Sequence, residues 1–248
     1  MTQASKLIHI DQLKNKLAHL PNLPDAAEKR NLEAFIVAYT YNTNAIEGST
    51  LSLHETRLAL VEGVTIDKKP ISDYMDAINH KEALLYMLDM AKPGHVITEQ
   101  DIKMIHSLVL ASDRNIRGVY RNYNVAITGT DYVPTDHLMI QEEMEKLIQQ
   151  LATVKTHPVV DVAVNHITFE KIHPFGDGNG RTGRLLLNLE LIRQGYQPID
   201  IKYQDRDKYI GALLYWDEPR DTAPFVDLIV DYQLAAIQAR YDNVKRLG

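Results

Sequence analysis

The chain has 248 residues, of which 45% are hydrophobic and 24% are charged, and its formal net charge is -6. This length and apolar content suffice for one substantial hydrophobic core, or for one domain with an appended arm. The acidic balance argues against general nucleic-acid binding through a basic surface. The chain contains no cysteine, which excludes disulfides and thiolate metal sites but leaves the redox compartment open.

The apolar runs and the N-terminal segment bear on membrane association. No run approaches the roughly 18 apolar residues that a membrane-spanning helix needs. Residues 1–20 also lack the charged-then-apolar layout of a signal peptide. We therefore predict no membrane association and a cytoplasmic location.

Apolar residues recur at helical spacing through almost the whole chain, which predicts an all-α fold. Ser52 and Glu55 form a capping box at the start of one helix, and residues 98–101 cap another. A stripe of period 3.6 is formed by Leu32, Phe35, Ile36, Tyr39 and Ile46. In chain order, the predicted helices cover residues 11–20, 26–46, 52–63, 71–90, 98–110, 140–151, 160–172, 185–192, 205–216 and 223–247.

Residues 124–133 break the helical pattern. Val125-Ala126-Ile127 and Tyr132-Val133 flank the turn-forming run Thr128-Gly129-Thr130-Asp131. Short apolar runs on both sides of a glycine-containing turn predict a β-hairpin.

Residues 173–184 carry the most functional information, and they read His-Pro-Phe-Gly-Asp-Gly-Asn-Gly-Arg-Thr-Gly-Arg. This glycine-rich turn lies between two helical runs and leads into the start of the second. The unpaired N–H groups and the positive dipole end at a helix N-terminus favour an anion. The sequence therefore predicts a phosphate-binding turn.

The polar side chains of this turn suit a nucleotide. Arg181 and Arg184 are three residues apart, so they share a helix face and can reach successive phosphates. Asp177 can hold Mg²⁺, and Asn179 can donate its amide to a phosphate oxygen. His173 is a natural general base for a hydroxyl nucleophile. Because no covalent nucleophile is present, we predict direct transfer of a phosphorus-centred group.

The turn matches the pattern His-x-Phe-x-(Asp/Glu)-Gly-Asn-Gly-Arg-x-x-Arg of the Fic family, which it resembles without departure. That resemblance extends over about residues 30–230. It implies an all-α Fic-type helical bundle with a small β-hairpin flap beside the active site. It also implies an N-terminal helical arm over residues 1–60 and a catalytic domain over residues 61–248, packed as one compact unit.

Fic enzymes transfer AMP from ATP to a hydroxyl of a target protein, and the resemblance implies a role for each polar residue. His173 would deprotonate the target hydroxyl, and Asp177 would carry Mg²⁺ on the α- and β-phosphates. Asn179, with the backbone amides around Gly178 and Gly180, would form the anion hole.

The two arginines and one core residue complete the implied site. Arg181 would hold the transferred end of the triphosphate, and Arg184 would hold the γ-phosphate. Phe175 would anchor the loop in the core. The related Doc kinases carry a lysine where this chain has Gly180, which favours nucleotidyl transfer over phosphorylation.

The hairpin follows Gly118-Val119-Tyr120-Arg121, similar to the Gly-x-Tyr-Arg before the Fic flap. Such a flap would align an extended target segment by main-chain hydrogen bonding. The flap candidates are Thr128, Gly129 and Tyr132.

For adenine, the family places a tyrosine-led helix after the motif, which residues 209–217 resemble. The candidates there are Tyr209, Ile210, Leu213 and Asp217. The family often has an aromatic where this chain has Ile210 and an asparagine where it has Asp217, so base specificity stays open.

Thr43-Asn44-Ala45-Ile46-Glu47-Gly48 matches the inhibitory pattern (Ser/Thr)-x-x-x-Glu-(Gly/Asn) of the family. It ends a helix with a carboxylate, where the helix dipole disfavours negative charge, so a cationic partner is expected. The resemblance supplies Arg184 as that partner. Glu47 would then remove the grip of Arg184 on the γ-phosphate.

Most other histidines are interpreted as structural. His166 lies on the same helix face as His173 and is interpreted as a structural histidine, with support of His173 as the alternative. His106 is predicted to be a core residue. No histidine spacing suggests a zinc site.

Three functions remain open. The first is an autoinhibited protein adenylyltransferase that uses ATP and Mg²⁺ to modify a tyrosine, threonine or serine of a target protein and of itself. The second is a hydrolase that removes AMP from such a protein, with Glu47 aligning a water. The third is a non-catalytic ATP-binding regulator, and the complete catalytic set of the turn argues against it. The sequence does not decide the target or the oligomeric state, for which a homodimer is one option.

Overall fold

The computed structural model describes residues 1–65, 67–127, 132–215 and 221–247. Over these residues the secondary structure is helical, with short 3-10 or π turns before or after some of the helices. The α-helices in chain order are α1 (Gln3–Leu17), α2 (Asp25–Ile46), α3 (Leu53–Arg57), α4 (Ile71–Met90), α5 (Glu99–Val109), α6 (Ile140–Leu151), α7 (Pro158–Ile172), α8 (Asn179–Arg193), α9 (Arg206–Leu214) and α10 (Ala223–Leu247). The predicted all-α fold is confirmed.

Helices α7 and α8 pack against each other at the centre of the molecule, and residues 173–178 connect them. Helices α4 and α5 pack on α8, while α6 and α10 pack on α7. Helix α1 packs on α10, and α2 packs on α4. The glycine-rich turn therefore lies at one end of a helix pair that other helices surround.

Two hydrophobic clusters bury this central pair on both sides. The first lies toward α4, α5 and α6 and contains Phe169 and Leu186. The second lies toward α1, α9 and α10 and contains Val162, Leu187 and Phe225. Since α7 and α8 contribute to both clusters, both helices are buried on most sides, and α8 buries the polar side chains of Arg184, Asn188 and Glu190 together with its leucines.

The capping signals in the sequence are confirmed. Ser52 accepts a hydrogen bond from the backbone N–H of Glu55, whose carboxylate accepts one from the N–H of Ser52. Thr98 and Asp101 form the same reciprocal pair at the start of α5. Each box satisfies N–H groups that a helix start leaves without an intrahelical partner.

Some predicted boundaries were wrong, and one residue of the apolar stripe on α2 is not buried. Helix α1 begins at Gln3, with Thr2 as its N-cap, rather than at residue 11. Helix α8 begins at Asn179, inside the motif, rather than at residue 185. Leu32 is 44% exposed, because the buried apolar face of α2 begins only at Ile36, apart from Ala27. The apolar residues of α2 thus keep their helical spacing toward the N-terminal half of the helix, where fewer of them are buried.

The predicted hairpin falls partly outside the described residues, since Thr128, Gly129, Thr130 and Asp131 are not among them. Residues 125–127 and 132–133 form no strand in the described part of the chain. The two ends of the segment nevertheless lie together, because Asn124 Nδ2 donates to Asp136 Oδ2 at 2.9 Å. The hairpin itself stays a prediction.

The N-terminal helices pack on the rest of the fold. Lys14 Nζ in α1 donates to the carbonyl oxygen of Gln194 at 2.6 Å, just after α8. The division into an arm and a catalytic domain at residue 60 stays a prediction. Within the described ranges, no helix combines the length and apolar character that a bilayer crossing requires.

A buried carboxyl in α8 makes stability depend on pH. Glu190 is 1% exposed, and its Oε2 accepts a hydrogen bond from Asn165 Nδ2 at 2.7 Å. Burial raises the pKa of Glu190 from 4.5 to about 8. Between these values the folded protein keeps a proton that the unfolded chain releases, so this carboxyl contributes less stability as pH rises.

We expect Glu190→Gln to remove this contribution, because the amide stays neutral at every pH and can still accept from Asn165. The free energy of unfolding of the wild type should fall relative to that of the variant between about pH 5 and pH 8. Urea unfolding of both proteins at several pH values measures this difference. A constant difference over that range would contradict the assignment.

Candidate active site

The turn between α7 and α8 has an unusual backbone at its two ends. His173 lies in the left-handed region, with φ 48° and ψ 59°, and its N–H donates to the carbonyl oxygen of Phe169 at 3.0 Å. Gly178, the N-cap of α8, has φ 74°. A non-glycine residue at positive φ is uncommon and persists only where its surroundings hold it. His173 is therefore held in place by the fold.

One contact that holds the turn is made by His106 of α5. Its ring stacks on Phe175, with centroids 3.6 Å apart, and both side chains are fully buried. His106 Nδ1 accepts from the N–H of Gly118 at 2.8 Å, so Nε2–H donates to the carbonyl oxygen of Asp177 at 2.9 Å. Burial lowers the pKa of His106 to about 4, which keeps the ring neutral. Both core predictions are confirmed, and His106 also fastens the turn.

Asn179 makes a second fastening inside the turn. Its Oδ1 accepts from the N–H of Phe175 and its Nδ2 donates to the carbonyl oxygen of Phe175, each at 2.9 Å. Asn179 is 2% exposed. The sequence predicts that this amide faces a phosphate, but in the structure both of its polar atoms are bonded to the backbone of the turn. The role that fits this geometry is to shape the turn.

A third fastening comes from Arg121, which ends the Gly-x-Tyr-Arg segment. Its Nε donates to the carbonyl oxygen of His173 at 2.9 Å, and its backbone N–H donates to that of Pro174 at 3.0 Å. The same guanidinium donates to the carbonyl oxygens of Tyr123, at 2.8 Å, and Thr135. Arg121 thus ties the two ends of the predicted flap to the turn, a role that spacing alone does not reveal.

The imidazole of His173 is arranged to act as a base. Its Nδ1 lies 3.4 Å from the carbonyl oxygen of Glu170, an orientation in which Nδ1 donates and Nε2 keeps its lone pair. Burial lowers the pKa of His173 below its ordinary value. The ring is therefore neutral at pH 7 and can accept a proton.

The predicted pair between Glu47 and Arg184 is present. Arg184 NH2 donates to Glu47 Oε1 at 2.6 Å and to the carbonyl oxygen of Thr43 at 3.2 Å. Arg184 Nε donates to Thr43 Oγ1 at 2.8 Å. Arg184 is 2% exposed, so an inward-facing guanidinium joins the end of α2 to the first turns of α8.

The carboxylate of Glu47 lies over the N-terminus of α8. A Cβ at Gly180 would collide with Glu47 Oε1, so the absence of a side chain there admits the carboxylate. Burial by itself would raise the pKa of Glu47, but Arg184, with smaller contributions from Arg181 and Arg206, holds it below its ordinary value. Glu47 therefore occupies, as an anion, the position that favours anions.

The other motif arginine has a partner that the sequence did not predict. Arg181 NH1 lies 3.2 Å from Asp76 Oδ1 of α4, and Arg181 NH2 lies 3.9 Å from Asp177 Oδ2. No periodicity or motif in the sequence marks Asp76. Only the packing of α4 on α8 brings its carboxylate to Arg181, so this pair could be found only from the tertiary structure.

Asp177 presents an exposed carboxylate at the turn. Its side chain is 68% exposed, and its Oδ1 accepts from the N–H of Gly178 at 2.6 Å. Across the described residues, no group of three or more histidine or acidic side chains could hold a metal by itself. One exposed carboxylate fits Mg²⁺ that takes most of its other ligands from phosphates and water.

Open clefts flank the N-terminus of α8 on two sides. One, of about 480 Å³, is lined by Glu47, Tyr203, Arg206 and Asp207 among others. The other, of about 590 Å³, is lined by Asp76, Asn79, Asp177 and Arg181 among others. Arg181 therefore borders space that a ligand can enter, and the other cleft is bordered by Glu47, the partner of Arg184.

Of the adenine candidates, Tyr209 is the one whose position differs from expectation. Tyr209 is 1% exposed, and its hydroxyl donates to His166 Nε2 at 2.8 Å, so its ring belongs to the core rather than to a binding surface. Ile210 and Leu213 are partly buried against the same cluster. Asp217 lies outside the described residues.

Tyr209 and His166 contact residues of the motif from the buried side of α8. The Arg184 guanidinium carbon lies 5.7 Å from the centre of the Tyr209 ring. His166 Nδ1 donates to the carbonyl oxygen of Gly183 at 3.1 Å, and burial lowers the pKa of His166 to about 3. The interpretation of His166 as a structural histidine is confirmed.

Of the flap candidates, only Tyr132 lies in the described part of the chain. Its hydroxyl donates to the carbonyl oxygen of Lys171 at 3.2 Å, two residues before His173. Thr128 and Gly129 lie outside the described residues.

We expect Asn179→Ala to destabilise the fold by about 1–3 kcal/mol, because two buried backbone groups of Phe175 lose their partners. Any loss of catalytic rate in this variant would then result from a less ordered turn. Urea unfolding measures the free energy change. Unchanged stability would show that Asn179 does not shape the turn.

Comparison with known proteins gives the same family. Residues 96–191, which include the whole turn, match the model of the Fic/DOC family. Protein adenylyltransferase fic-1 of Caenorhabditis briggsae is 32% identical over 237 residues, which cover 94% of this chain and 46% of that protein. Protein adenylyltransferase Fic of Nematostella vectensis is 33% identical over 227 residues, which cover 89% of this chain and 52% of that protein. The chain spans about half the length of these curated relatives.

Solved structures share the fold. The structure of residues 134–508 of Fic-1 from Caenorhabditis elegans has a TM-score of 0.87 at 30% identity, and the match covers 98% of this chain and 73% of that structure. A Fic domain containing signaling protein from Bacteroides thetaiotaomicron has a TM-score of 0.85 at 26% identity, with 96% of this chain and 97% of that one covered. The complete motif, the shared fold and the identity over nearly the whole chain show that this protein belongs to the Fic/DOC family.

Proposed function

We propose that this chain is an autoinhibited protein adenylyltransferase, which transfers AMP from ATP to a hydroxyl of a target protein and of itself. One observation carries the proposal: Glu47 is bound to Arg184 at 2.6 Å over the N-terminus of α8, where a phosphate would otherwise bind. The names of the relatives, protein adenylyltransferases, support the same activity.

The chemistry follows from the turn. The amides at the start of α8, with Arg181 and Arg184, bind the triphosphate. The target hydroxyl oxygen attacks the α-phosphorus and gives its proton to His173 Nε2, while the bond from that phosphorus to the bridging oxygen of the β-phosphate breaks. Pyrophosphate leaves with the electron pair. Donors that are already oriented toward the developing charge lower the barrier.

Asp177 is the residue that would hold Mg²⁺. The ion would neutralise charge on the phosphates. The exposure of the carboxylate and its bond to the N–H of Gly178 keep it at the mouth of the turn.

The contacts between the turn and the predicted flap suit the transfer of AMP to a protein. Arg121 and Tyr132 connect the predicted flap to the residues around His173. A target segment bound along the flap, with Thr128 and Gly129 as proposed contacts, would bring its hydroxyl toward His173 by main-chain bonding. The target is then selected by an accessible tyrosine, threonine or serine rather than by a sequence.

Recognition of the base is proposed for the surface around Ile210, Leu213 and Asp217. Tyr209, which is buried, would act by packing behind Arg184 instead of stacking on the base.

Removal of AMP from a modified protein is a second candidate function. The side chain of Glu47 is 41% exposed and lies beside an open cleft. A carboxylate there could orient a water toward a bound phosphate.

We expect Glu47→Gly to increase self-modification with labelled ATP on the order of tens-fold or more, since breaking an ion pair at a partly buried site is worth a few kcal/mol when one partner is left alone. Arg184 keeps its bonds to Thr43 and becomes free to orient the γ-phosphate. Glu62→Gly is a matched control, because Glu62 also precedes a glycine at a helix end but is exposed.

The same assay separates the two functions. Arg184→Ala in the Glu47→Gly protein should reverse the gain. A hydrolase should lose AMP removal in Glu47→Gly, whereas a transferase should show only the gain. Unchanged transfer in Glu47→Gly at saturating ATP and Mg²⁺ would rule out autoinhibition by Glu47.

His173→Ala should abolish transfer in the Glu47→Gly protein yet leave ATP binding largely intact, because the imidazole acts on the incoming hydroxyl. Asp177→Ala should instead weaken ATP binding only when Mg²⁺ is present. Calorimetry with and without Mg²⁺, alongside the labelled transfer assay, measures both. If His173→Ala lost ATP binding but kept transfer, the base would have to be another residue.

A further inference from the structure

Each of the two motif arginines is paired with a carboxylate from outside the motif. Glu47, at the end of α2, binds Arg184 at 2.6 Å, and Asp76, in α4, binds Arg181 at 3.2 Å. The first pair matches the inhibitory pattern of the family. The second has no counterpart in the sequence motifs.

The two carboxylates approach their arginines from different sides. Glu47 lies over Gly180, at the anion position of the helix N-terminus, and so competes with a phosphate. Asp76 belongs to a neighbouring helix and lines the cleft beside Arg181. Among the described residues, the atoms nearest a Cβ at Gly180 belong to Glu47 and Arg184, so Asp76 can stay paired while a phosphate binds there.

The two arginines also differ in what else holds them. Arg184 has two further bonds to Thr43 and packs by the Tyr209 ring. Arg181 is 6% exposed, and over the described residues its Nε is buried without a hydrogen-bond partner. Its other carboxylate neighbour is Asp177, at 3.9 Å.

In the proposed function the carboxylate of Asp177 binds Mg²⁺. Asp76 is then the carboxylate that remains paired with Arg181 and holds its guanidinium in place. A long flexible side chain with one buried, unpaired nitrogen needs such a partner to keep a single orientation. Asp76 is 38% exposed on its side chain and is anchored on a well-packed helix, so it can supply that orientation without blocking the cleft.

We infer that Asp76 is a positioning residue, which holds the Arg181 guanidinium toward the phosphates of the bound nucleotide. The inference rests on the proposed function. It assigns opposite effects to the two carboxylates: loss of Glu47 frees an arginine that other bonds still orient, whereas loss of Asp76 leaves Arg181 without its orienting partner.

The test compares Glu47→Gly with Glu47→Gly/Asp76→Asn, and calorimetry with ATP and Mg²⁺ measures nucleotide affinity. The dissociation constant for ATP should rise about ten-fold, which corresponds to about 1.4 kcal/mol. The KM for ATP should rise with it, while the melting temperature changes little. Asp76→Glu should restore part of the affinity, since it returns the carboxylate.

Asp89→Asn is the matched control in the same helix. Asp89 is exposed and pairs with Lys92 across one turn, so its substitution should leave ATP affinity unchanged. This control separates loss of one charge on α4 from loss of the partner of Arg181.

Three results would overturn the inference. Unchanged ATP affinity in Asp76→Asn, with or without a lower melting temperature, would leave Asp76 a purely structural role. A gain in transfer would make it a second inhibitor. A Glu47→Gly parent that binds no ATP would refute both the proposed function and the inference about Asp76. If the parent binds ATP but transfers no AMP, the proposed function fails, and the comparison of ATP affinities still tests the role of Asp76.

Discussion

The buried positive charge of Arg184 is the constraint on which the site depends. A guanidinium that is 2% exposed is costly in the interior unless its charge and its donors find partners. Thr43 and Glu47 supply them from the end of α2, so the packing of α2 and the electrostatics of the turn are coupled. Within the proposed function, inhibition is the consequence, because a γ-phosphate and the Glu47 carboxylate satisfy the same charge.

The turn itself is held by the core on several sides. Phe175 is enclosed in the core, where His106 stacks on its ring and donates a hydrogen bond to the carbonyl oxygen of Asp177. Asn179 forms hydrogen bonds with both the N–H and the carbonyl oxygen of Phe175. Arg121 then ties the carbonyl of His173 to the neighbouring segment. A backbone at positive φ, which would be strained alone, becomes a fixed platform for the imidazole. Within the proposed function, the chemistry therefore depends also on the side chains that hold the turn.

The role of a residue in this site depends on more than its chemical type or its place in a helical period. Glu47 and Asp76 are both carboxylates beside a motif arginine, but only Glu47 lies in a recognisable pattern. Tyr209 leads a helix that resembles an adenine site, yet its ring is enclosed between His166 and Phe225. Leu32 fits an apolar period but extends beyond its packing partner. In each case periodicity describes one helix, whereas burial depends on what lies opposite it.

The sequence by itself determined the all-α class, the capping boxes of α3 and α5, the glycine-rich turn that leads into a helix, and the pairing of Glu47 with Arg184. These features follow from local residue types at fixed spacing, or from a motif long enough to identify the family. Only the tertiary structure decided that Asn179 shapes the turn, that His106 fastens it and that Asp76 pairs with Arg181. Such roles arise from contacts between helices distant in the chain, and no local pattern encodes which side chains packing will bring together.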